Sequence, residues 1–365
     1  MPLKTTAGDH GQQVKGRGAT INPEGRFENF RREVFDDEWF QEPLEGEEAK
    51  PKTVIAVERA KTVISRHDSP DVGFEQSLNP YRGCSNGCVY CYARPSHAYL
   101  GLSPGLDFET RLSAKVNAAE RLREEIAKPG YRCVPLTIGV NTDAYQTIER
   151  DYRITRSILE LCHETNHPVS LITKCSMVER DMDLLGPMAK LKLAHVTISI
   201  TTLDHEISRY MEPRATAPAR RLVTVKRLAE AGIPVNVNIA PVVPFITDHE
   251  LESIMEAAAQ AGASSVYYNL VRLPWEVKEI FRAWLEARFP LKAAHVMSRI
   301  HEMREGRDND PNFGTRMTGT GLLAQLLRQR YEKACKRLDL DQREEPPLDR
   351  GLFVPPSLNG QKSLF

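Results

Sequence analysis

The sequence predicts an α/β fold in which helices cover a parallel sheet. Five short apolar segments of strand length, preceded by the segment 78–83 that leads into a cysteine-rich loop, alternate with segments whose apolar residues have helical spacing. This alternation is typical of βα units, in which each helix packs on the sheet and the next strand runs parallel to the last. The predicted strands are residues 78–83, 134–140, 169–173, 196–200, 235–240 and 266–271.

The predicted helices lie between these strands. The first spans residues 109–128, where Ala118, Leu122 and Ile126 are spaced by four. The second and third carry their apolar residues on one face from 154 to 161 and from 182 to 191. The last two, residues 220–231 and 250–261, each stop at a glycine, which tolerates the conformation that ends a helix.

The regions on either side of this core (73–275) lack the alternation. Residues 1–72 are polar and are predicted to form a partly disordered N-terminal extension, whose aromatic residues are expected to dock part of it on the core. Residues 276–340 form a predicted C-terminal helical region, and the polar, proline-rich residues 341–365 a flexible tail.

Composition limits the classes of protein that the chain can represent. Its 365 residues, 41% of them hydrophobic, suffice for one large α/β unit with appendages. The 49 basic and 49 acidic residues cancel, so no global field attracts nucleic acid or membranes. Without a long apolar run or a signal-like leader, we expect a cytoplasmic protein with no membrane partner. Seven cysteines, an odd number, argue against a disulfide framework.

Three cysteines are concentrated in one loop. Cys84, Cys88 and Cys91 are separated by three and then two residues, and thiolates this close can converge on one soft metal centre. A structural zinc site needs four protein ligands, and neither His97 nor Cys133 lies at a suitable spacing. A [4Fe-4S] cluster on three cysteines would keep one iron open. The spacing favours a cluster over zinc or structural thiols.

The cysteine loop, with Tyr90 directly before its third cysteine, resembles the signature of the radical S-adenosylmethionine (SAM) superfamily. Further motifs resemble the bacterial group related to spore photoproduct lyase, often labelled DNA repair photolyase; they lie at residues 77–84, 93–101, 107–110, 141–143, 173–174, 212–214, 240–241 and 272–274. The resemblance implies a partial (β/α)6 TIM-like barrel whose strands carry ligands at their carboxyl ends. It also implies a [4Fe-4S] cluster on Cys84, Cys88 and Cys91.

The resemblance further implies the class of reaction. In this family SAM binds the open iron of the cluster, and its reductive cleavage gives a 5′-deoxyadenosyl radical that abstracts hydrogen from a substrate. The electron is expected from a partner protein, a reductase or a flavodoxin or ferredoxin. We therefore expect a radical SAM enzyme.

Polar residues at the predicted strand ends are the candidate SAM ligands, because a barrel gathers these ends around one mouth. In many family members the end of the second strand meets the methionyl amino group of SAM; here the candidates are Asn141, Thr142 and Asp143, which also suit a helix cap. Lys174 is a candidate for the SAM carboxylate or a solvated lysine. The remaining candidates are Ser199, Thr201 and Ala240.

One position departs from the family pattern. Spore photoproduct lyases carry a hydrogen-donating cysteine three residues before the aspartate that aligns with Asp143, and this chain has Val140 there. Valine cannot donate a hydrogen atom as a thiol does. The candidate catalytic residues are therefore Cys175, directly after the third strand, and Tyr145, whereas Cys162 has the spacing of a core residue.

Nucleic acid is the predicted substrate class. The prediction depends on the family label and on a basic C-terminal segment, whose alternative interpretation is a solvated helix face. The arginines of this segment are Arg299, Arg304, Arg307, Arg316, Arg328 and Arg330. The alternative functions are a radical SAM enzyme acting on a peptide or small metabolite, and a non-enzymatic metal-bearing nucleic-acid-binding protein.

Overall fold

The structure, a computed structural model, describes residues 16–27, 52–340 and 347–357. Its strands belong to two sheets. The strands of the described residues are β1 (Val54–Glu58), β2 (Ser65–Arg66), β3 (Gln76–Leu78), β4 (Tyr81–Arg82), β5 (Arg111–Lys115), β6 (Leu136–Ile138), β7 (Val169–Thr173), β8 (Ala194–Ser199), β9 (Val235–Val242) and β10 (Ser265–Leu270).

The larger sheet forms the wall of the barrel. Its strand order is β10-β9-β8-β7-β6-β3-β2. All neighbouring pairs from β3 to β10 are parallel, and β2 joins the edge antiparallel to β3. The number of parallel strands and the position of the last five are therefore confirmed, whereas the first lies at Gln76–Leu78 instead of 78–83, because Tyr81 and Arg82 pair in the smaller sheet. The cysteine loop follows shortly after the first of them, so it lies at the carboxyl end of the sheet.

The apolar sequences of the central strands explain their position. Val169 and Leu171 of β7 and Val196 and Ile198 of β8 are buried, as expected for parallel strands covered on both faces. Gly139 follows β6 with a φ of 90°, and a Cβ atom there would lie 2.4 Å from the carbonyl oxygen of Ile172. Glycine alone permits this close approach, which brings the loops after β6 and β7 together.

Helices cover the outer face of the sheet, with α2 packed on α4, α5 on β8 and α8 on β9. Their buried faces carry the apolar residues that the sequence spaces by three and four, such as Ile158 and Leu161. The helices are α1 (Leu106–Thr110), α2 (Ala118–Ile126), α3 (Glu149–Tyr152), α4 (Ile154–Glu164), α5 (Met182–Lys190), α6 (His205–Met211), α7 (Pro218–Glu230), α8 (Leu251–Gln260), α9 (Val277–Arg288), α10 (Ala293–Glu302) and α11 (Gly321–Arg337). Short 3-10 helices span Arg94–Leu100, Ser176–Asp181 and Asp248–Glu250.

Residues 111–115 form a strand where the sequence predicts a helix. The prediction of one helix over residues 109–128 is wrong there, because β5 separates α1 from α2. β5 pairs parallel with β1 and antiparallel with β4. Its buried residues Leu112 and Ala114 alternate with more exposed neighbours, which is the period of a strand. This small sheet supports the cysteine loop, since β4 leads directly into Cys84.

The C-terminal region continues as helices α9 to α11, and the described part of the tail packs against the barrel. The amide of Val354 donates to the carbonyl of Thr165 at 2.9 Å, and the Phe353 ring meets His167 edge-on at 5.2 Å. Residues 347–357 therefore lie near the start of β7, away from the cysteine loop. Among the described helices, none is both long and apolar enough to cross a membrane.

Candidate active site

The three cysteines lie on the loop between β4 and the 3-10 helix Arg94–Leu100. Cys84 and Cys88 are buried, Cys91 is partly exposed, and all three are free thiols. Backbone hydrogen bonds from Gly87 to Cys84 and from Cys91 to Cys88, at 3.4 and 3.3 Å, close two turns of the loop. These turns bring the three thiols close together. Burial is the main cause that raises the pKa of Cys88, and negative charge on Cys91 or Cys84 raises it further.

Burial governs the protonation of the two inner thiols. Burial raises the pKa of Cys84 to about 12, and the nearby carboxylate of Asp143 adds to the rise. Burial also raises the pKa of Cys88 well above its ordinary value, with Glu212 adding to the rise and Lys174 opposing it. Both thiols are therefore protonated at neutral pH before a metal binds, and metal binding must release their protons.

The donor set fits an iron–sulfur cluster better than a single metal ion. Within residues 16–27, 52–340 and 347–357, no three His, Cys, Asp or Glu side chains are grouped as one metal ion requires. Thiols spread over one loop suit a cluster, in which each sulfur binds a different iron. The buried apolar side chains of Val89, Ala93 and Phe108 surround the thiols. They would shield a cluster from water.

Arg94 holds the loop in place from the protein interior. Its guanidinium is buried and donates to the carbonyls of Gly87 and Cys88 at 3.1 and 2.8 Å. It also forms a fully buried salt bridge of 2.5 Å with Glu109 and donates to two further carbonyls. Only the planar, five-donor guanidinium can reach all of these acceptors at once. Arg94 therefore fixes the backbone on both sides of Cys88.

Gln146 holds the same loop at its first cysteine. The Oε1 atom of Gln146 accepts from the amide of Ser85 at 2.8 Å, and its Nε2 atom donates to the carbonyl of Gly83 at 3.1 Å. One buried side-chain amide thus bonds the backbone immediately before and after Cys84. Sequence analysis did not identify this function, because the two partners lie more than sixty residues away along the chain.

The N-terminal strap, defined here as residues 16–27, covers the outside of the cysteine loop. The amides of Gly18 and Ala19 donate to the carboxylate of Glu109 at 3.0 and 2.8 Å. A Cβ atom on Gly18 would lie 1.8 Å from the carbonyl oxygen of Gly87. The strap backbone therefore packs directly on the loop backbone, at a point where no side chain fits.

Side chains anchor the far end of the strap. Phe27 contacts Tyr99 with 5.0 Å between ring centroids, and Arg26 pairs with Glu276 at 2.8 Å while lying over the Trp275 ring. Docking of the extension through aromatic residues was expected from the sequence, and Phe27 makes such a contact. The other aromatic residues of that expectation, Phe30, Phe35, Trp39 and Phe40, lie outside the described residues.

Asp143 joins the cysteine loop to the ends of β6 and β7. Its carboxylate accepts hydrogen bonds from the Tyr145 amide, the Thr173 hydroxyl, the Asn86 side chain and the Lys174 amide at 2.6–2.9 Å. These four donors occupy the carboxylate. Asp143 therefore lies beside Cys84 with its carboxylate bonded to other protein groups.

The neighbouring candidate ligands differ in accessibility. The Thr142 hydroxyl is buried and donates to the carbonyl of Tyr81 at 3.0 Å. Asn141 is exposed, and its backbone amide donates to the Asn79 side chain at 2.8 Å. Of the three residues after β6, Asn141 alone has a side chain that is exposed and makes no hydrogen bond within the described chain.

Tyr90 connects the cysteine loop to a buried charge network. Its hydroxyl donates to Glu212, which also accepts from the Thr201 hydroxyl at 2.6 Å and pairs with Arg221. The Lys174 ammonium lies 4.0 Å from the same carboxylate. Burial alone would raise the pKa of Glu212, but Arg221 and then Lys174 hold it below its ordinary value. Two cations, Lys174 and Arg221, therefore face the one buried carboxylate of Glu212.

The network also reaches the remaining candidate ligands at the strand ends. Arg221 donates to the carbonyl of Ser199 at 2.9 Å, and the Thr201 hydroxyl oxygen lies 3.3 Å from the carbonyl oxygen of Ala240. The structure thus gathers Lys174, Ser199, Thr201 and Ala240 around Glu212. The sequence motif that contains Glu212 was recognised, but its function as the centre of this network was not.

The two candidate catalytic residues are both enclosed. The Cys175 thiol is buried 3.7 Å from the Asn86 side chain, and burial raises its pKa well above the ordinary value. The Tyr145 hydroxyl is buried and donates to Asp181 at 3.0 Å. Both residues border a cavity, described below, and the Tyr145 hydroxyl is held by its partner Asp181.

Val140 follows β6, at the position where the family resemblance predicts a hydrogen-donating cysteine. Its carbonyl accepts a hydrogen bond of 2.6 Å from the Tyr92 hydroxyl, and Arg272 lies over the Tyr92 ring at 5.3 Å. Tyr92 directly follows the third cysteine of the loop. This strand end therefore presents a phenol and a guanidinium beside a valine.

The basic C-terminal segment is largely neutralised. Arg304 is buried and donates to backbone carbonyls. Arg316 pairs with Asp71 at 2.5 Å, Arg330 pairs with Glu252 at 2.5 Å and Arg299 pairs with Glu302 at 2.5 Å. Most of these arginines thus stabilise the fold, and the segment is a weak basis for a nucleic-acid interface.

Comparison with known sequences identifies relatives over most of the chain. Residues 78–258 match the family model of the radical SAM superfamily. An uncharacterized protein of Mycobacterium tuberculosis is 32% identical over 287 residues, which cover 77% of this chain and 80% of that protein. A radical SAM Nα-GlyT isomerase of Pseudomonas phage M6 is 25% identical over 195 residues, which cover 53% of this chain and 38% of that protein.

Comparison with solved structures identifies the same fold. A spore photoproduct lyase complexed with a dinucleoside spore photoproduct superposes with a TM-score of 0.55 at 16% identity, covering 78% of this chain and 79% of that one. Another structure of that lyase contains both SAM and the dinucleoside. The partial barrel predicted from the sequence is thereby confirmed.

Proposed function

Because the chain belongs to the radical SAM superfamily, whose members use a [4Fe-4S] cluster and SAM, we propose that Cys84, Cys88 and Cys91 hold that cluster. The observation that carries the proposal is their position on one loop, as buried or partly buried free thiols at the carboxyl end of a parallel barrel. The family assignment makes the chain a radical SAM enzyme, and the cysteine geometry gives the cluster its ligands.

When bound, the externally reduced cluster would supply one electron to SAM, whose cleavage into methionine and a 5′-deoxyadenosyl radical would provide the species that abstracts hydrogen from a substrate. The residues of this chain position the reactants. Arg94 and Gln146 hold the loop backbone around Cys88 and Cys84. Lys174 offers positive charge beside Cys88 and is our candidate for the SAM carboxylate.

Of the other strand-end residues, we assign some to direct contact with SAM and others to support of the residues around it. Asn141 has an exposed side chain that bonds to no described residue, and it is our candidate contact for the methionyl amino group. Asp143 and Thr201 are already bonded to other protein groups, so we assign them to support. The carbonyl and hydroxyl groups at Ser199 and Ala240 complete the rim around the expected SAM site.

We infer that the substrate is a nucleic acid and that its reaction differs from that of the lyases. The fold is shared with an enzyme that binds a dinucleoside photoproduct, and four arginines, three of them without a salt bridge to any described residue, line a cavity beside the cysteine loop. The thiol that donates hydrogen in the lyases is absent here, since the corresponding position is Val140. The radical left on the substrate after hydrogen abstraction must then take a hydrogen atom from a different donor, or it must rearrange.

The cluster assignment is tested with protein purified anaerobically and reconstituted with iron and sulfide. With dithionite and SAM, the wild type should bind about four irons and form 5′-deoxyadenosine, and Cys91→Ala should do neither. Cys162→Ala is the matched control, because Cys162 is buried away from the loop and its loss should lower only stability. Formation of 5′-deoxyadenosine by Cys91→Ala would refute the cluster assignment.

The substrate class is tested by isotope transfer. DNA and RNA oligonucleotides with deuterated nucleosides, including a thymine-dimer strand, are incubated with the reduced enzyme and SAM. Deuterium in the 5′-deoxyadenosine identifies a nucleic acid as the hydrogen source. Uncoupled cleavage of SAM without deuterium transfer from any strand would refute the nucleic-acid substrate, although the radical SAM assignment would stand.

A further inference from the structure

A cavity of about 640 Å³ lies against the cysteine loop, at Asn86. Four arginines line it: Arg150, Arg153, Arg180 and Arg214. They come from three separate elements: the helical segment after β6, the 3-10 helix after β7 and the turn between α6 and α7. Because the fold brings them together from distant parts of the chain, their grouping does not follow from a local run of basic residues.

The charge of this arginine cavity is only partly balanced. Arg180 pairs with the buried carboxylates of Glu149 and Asp181, at 2.7 and 2.8 Å. The side chains of Arg150, Arg153 and Arg214 form no salt bridge with any residue that the structure describes, and no described acidic residue lines the cavity. Three guanidinium groups therefore keep their full charge around one concave surface.

Further donors reinforce this positive potential. Thr147, Ser176 and Thr216 also line the cavity. Arg214 is fixed to the cysteine loop, since its backbone amide donates to the carbonyl of Asn86 at 3.3 Å. Burial lowers the pKa of Arg17 on the strap, and the nearby charge of Arg214 lowers it further. Positive charge thus extends from the cavity toward the N-terminal strap.

We propose that the arginine cavity binds phosphate groups, those of a nucleic-acid strand or of a free nucleotide. Guanidinium groups bind phosphate oxygens in pairs through parallel hydrogen bonds, and hydroxyl groups add donors to the same anion. A strand presents one negative charge per nucleotide, which matches several unpaired arginines around one cavity. A single carboxylate would engage only one or two of them.

The cavity recognises the backbone of such a ligand rather than a base. Tyr145, its aromatic lining residue, is buried, and its hydroxyl is bonded to Asp181. Among the described lining residues there is therefore no exposed ring on which a base could stack. Contacts of this kind position a strand without reading its sequence. A strand held at Asn86 would lie beside the loop that carries Cys84 and Cys88.

This inference depends on the proposed function only in naming a strand as the source of the phosphates, and binding can be measured without turnover. The reconstituted enzyme, without reductant, is titrated with a fluorescent single-stranded oligonucleotide at several salt concentrations. In the double variant Arg150→Ala/Arg214→Ala the affinity should fall about 100-fold, about tenfold for each charged contact. The slope of log K against log salt should become shallower by about 1.4.

A matched control tests the alternative surface. Arg307 and Arg328, in the C-terminal segment, are exposed and form no salt bridge within the described residues, so Arg307→Ala/Arg328→Ala should bind the oligonucleotide as the wild type does. Arg150→Lys/Arg214→Lys should restore part of the affinity, because the charge remains without the planar fork. Thermal unfolding of each variant shows whether the fold is intact.

Competitors identify the source of the phosphate. If affinity rises with oligonucleotide length and far exceeds the affinity for thymidine monophosphate, the ligand is a strand. If thymidine monophosphate binds as tightly as the oligonucleotide, the ligand is a free nucleotide at the same cavity. Unchanged oligonucleotide affinity in the alanine double variant would overturn the proposal, as would tighter binding of a polyglutamate peptide at the same arginines. Arginine-dependent binding without deuterium transfer would refute the nucleic-acid substrate but leave the phosphate site standing.

Discussion

Gly18→Ala tests whether the N-terminal strap is held by direct backbone contact with the cysteine loop. The added Cβ atom would lie 1.8 Å from the carbonyl oxygen of Gly87, and ordinary van der Waals contact begins at 3.4 Å. The strap must therefore move by about 1.5 Å. This displacement breaks the hydrogen bonds that Gly18 and Ala19 donate to Glu109 at 3.0 and 2.8 Å.

The expected effect follows from those two bonds. A hydrogen bond to a charged acceptor contributes about 1.5–3 kcal/mol, so docking of the strap should weaken by about 3 kcal/mol or more. Hydrogen exchange of the strap amides, measured by mass spectrometry on the reconstituted enzyme, should then accelerate by about 100-fold. Amides of the central strands β7 and β8 should keep their protection, because they lie in a different part of the core.

Gly73→Ala is the control for this measurement. Gly73 is exposed and has no heavy atom within 4 Å of the position where its Cβ would lie, so the same chemical change should leave the exchange of the strap unaltered. If Gly18→Ala retained wild-type protection at Ala19, the strap would not be docked through these bonds, and the reasoning from the close contact would be wrong.

Three further predictions concern stability. Arg94→Met removes one partner of the buried salt bridge with Glu109 and should lower the free energy of unfolding by about 3–5 kcal/mol; a smaller loss in urea titration would contradict this account. Gln146→Ala should reduce bound iron and cost about 1–3 kcal/mol, because groups on both sides of Cys84 lose their partner; unchanged iron content would argue against it. Burial lowers the pKa of His167 from 6.5 to about 4, so its neutral form should contribute stability above pH 6.5 that is lost toward pH 4, about 3 kcal/mol. His167→Gln should flatten that loss, and a profile parallel to the wild type would refute the assignment.

The parts of this protein that could be predicted from its sequence are those encoded by neighbouring residues. The spacing of Cys84, Cys88 and Cys91 and the apolar runs of the parallel strands are local patterns, and the fold they predict is confirmed. The helix predicted over residues 109–128 was wrong at β5, because a strand of five residues gains its stability from pairing with β1 and β4. A local sequence pattern does not indicate which distant strands will pair with a segment.

The supports of the site could not be predicted for the same reason. Gln146 contacts Gly83 and Ser85 across more than sixty positions, and Glu109 receives the amide of Gly18 across 91 positions. Neither residue type suggests such a role by itself, since most glutamines and glutamates are solvated. Burial would have been the informative signal: Gln146 and Glu109 are both fully buried, and burial of such polar groups requires partners.

The distribution of charge shows why the position of an arginine, more than the number of arginines, determines where an anion binds. The chain has no net charge, and its C-terminal segment is rich in arginine, yet Arg316 and Arg330 are neutralised by carboxylates far away in the sequence. Arg150 and Arg214 come from separate parts of the sequence, line one cavity and form no salt bridge with any described residue. Because a ligand responds to the local potential and not to composition, anionic binding should follow the unpaired arginines beside the cysteine loop.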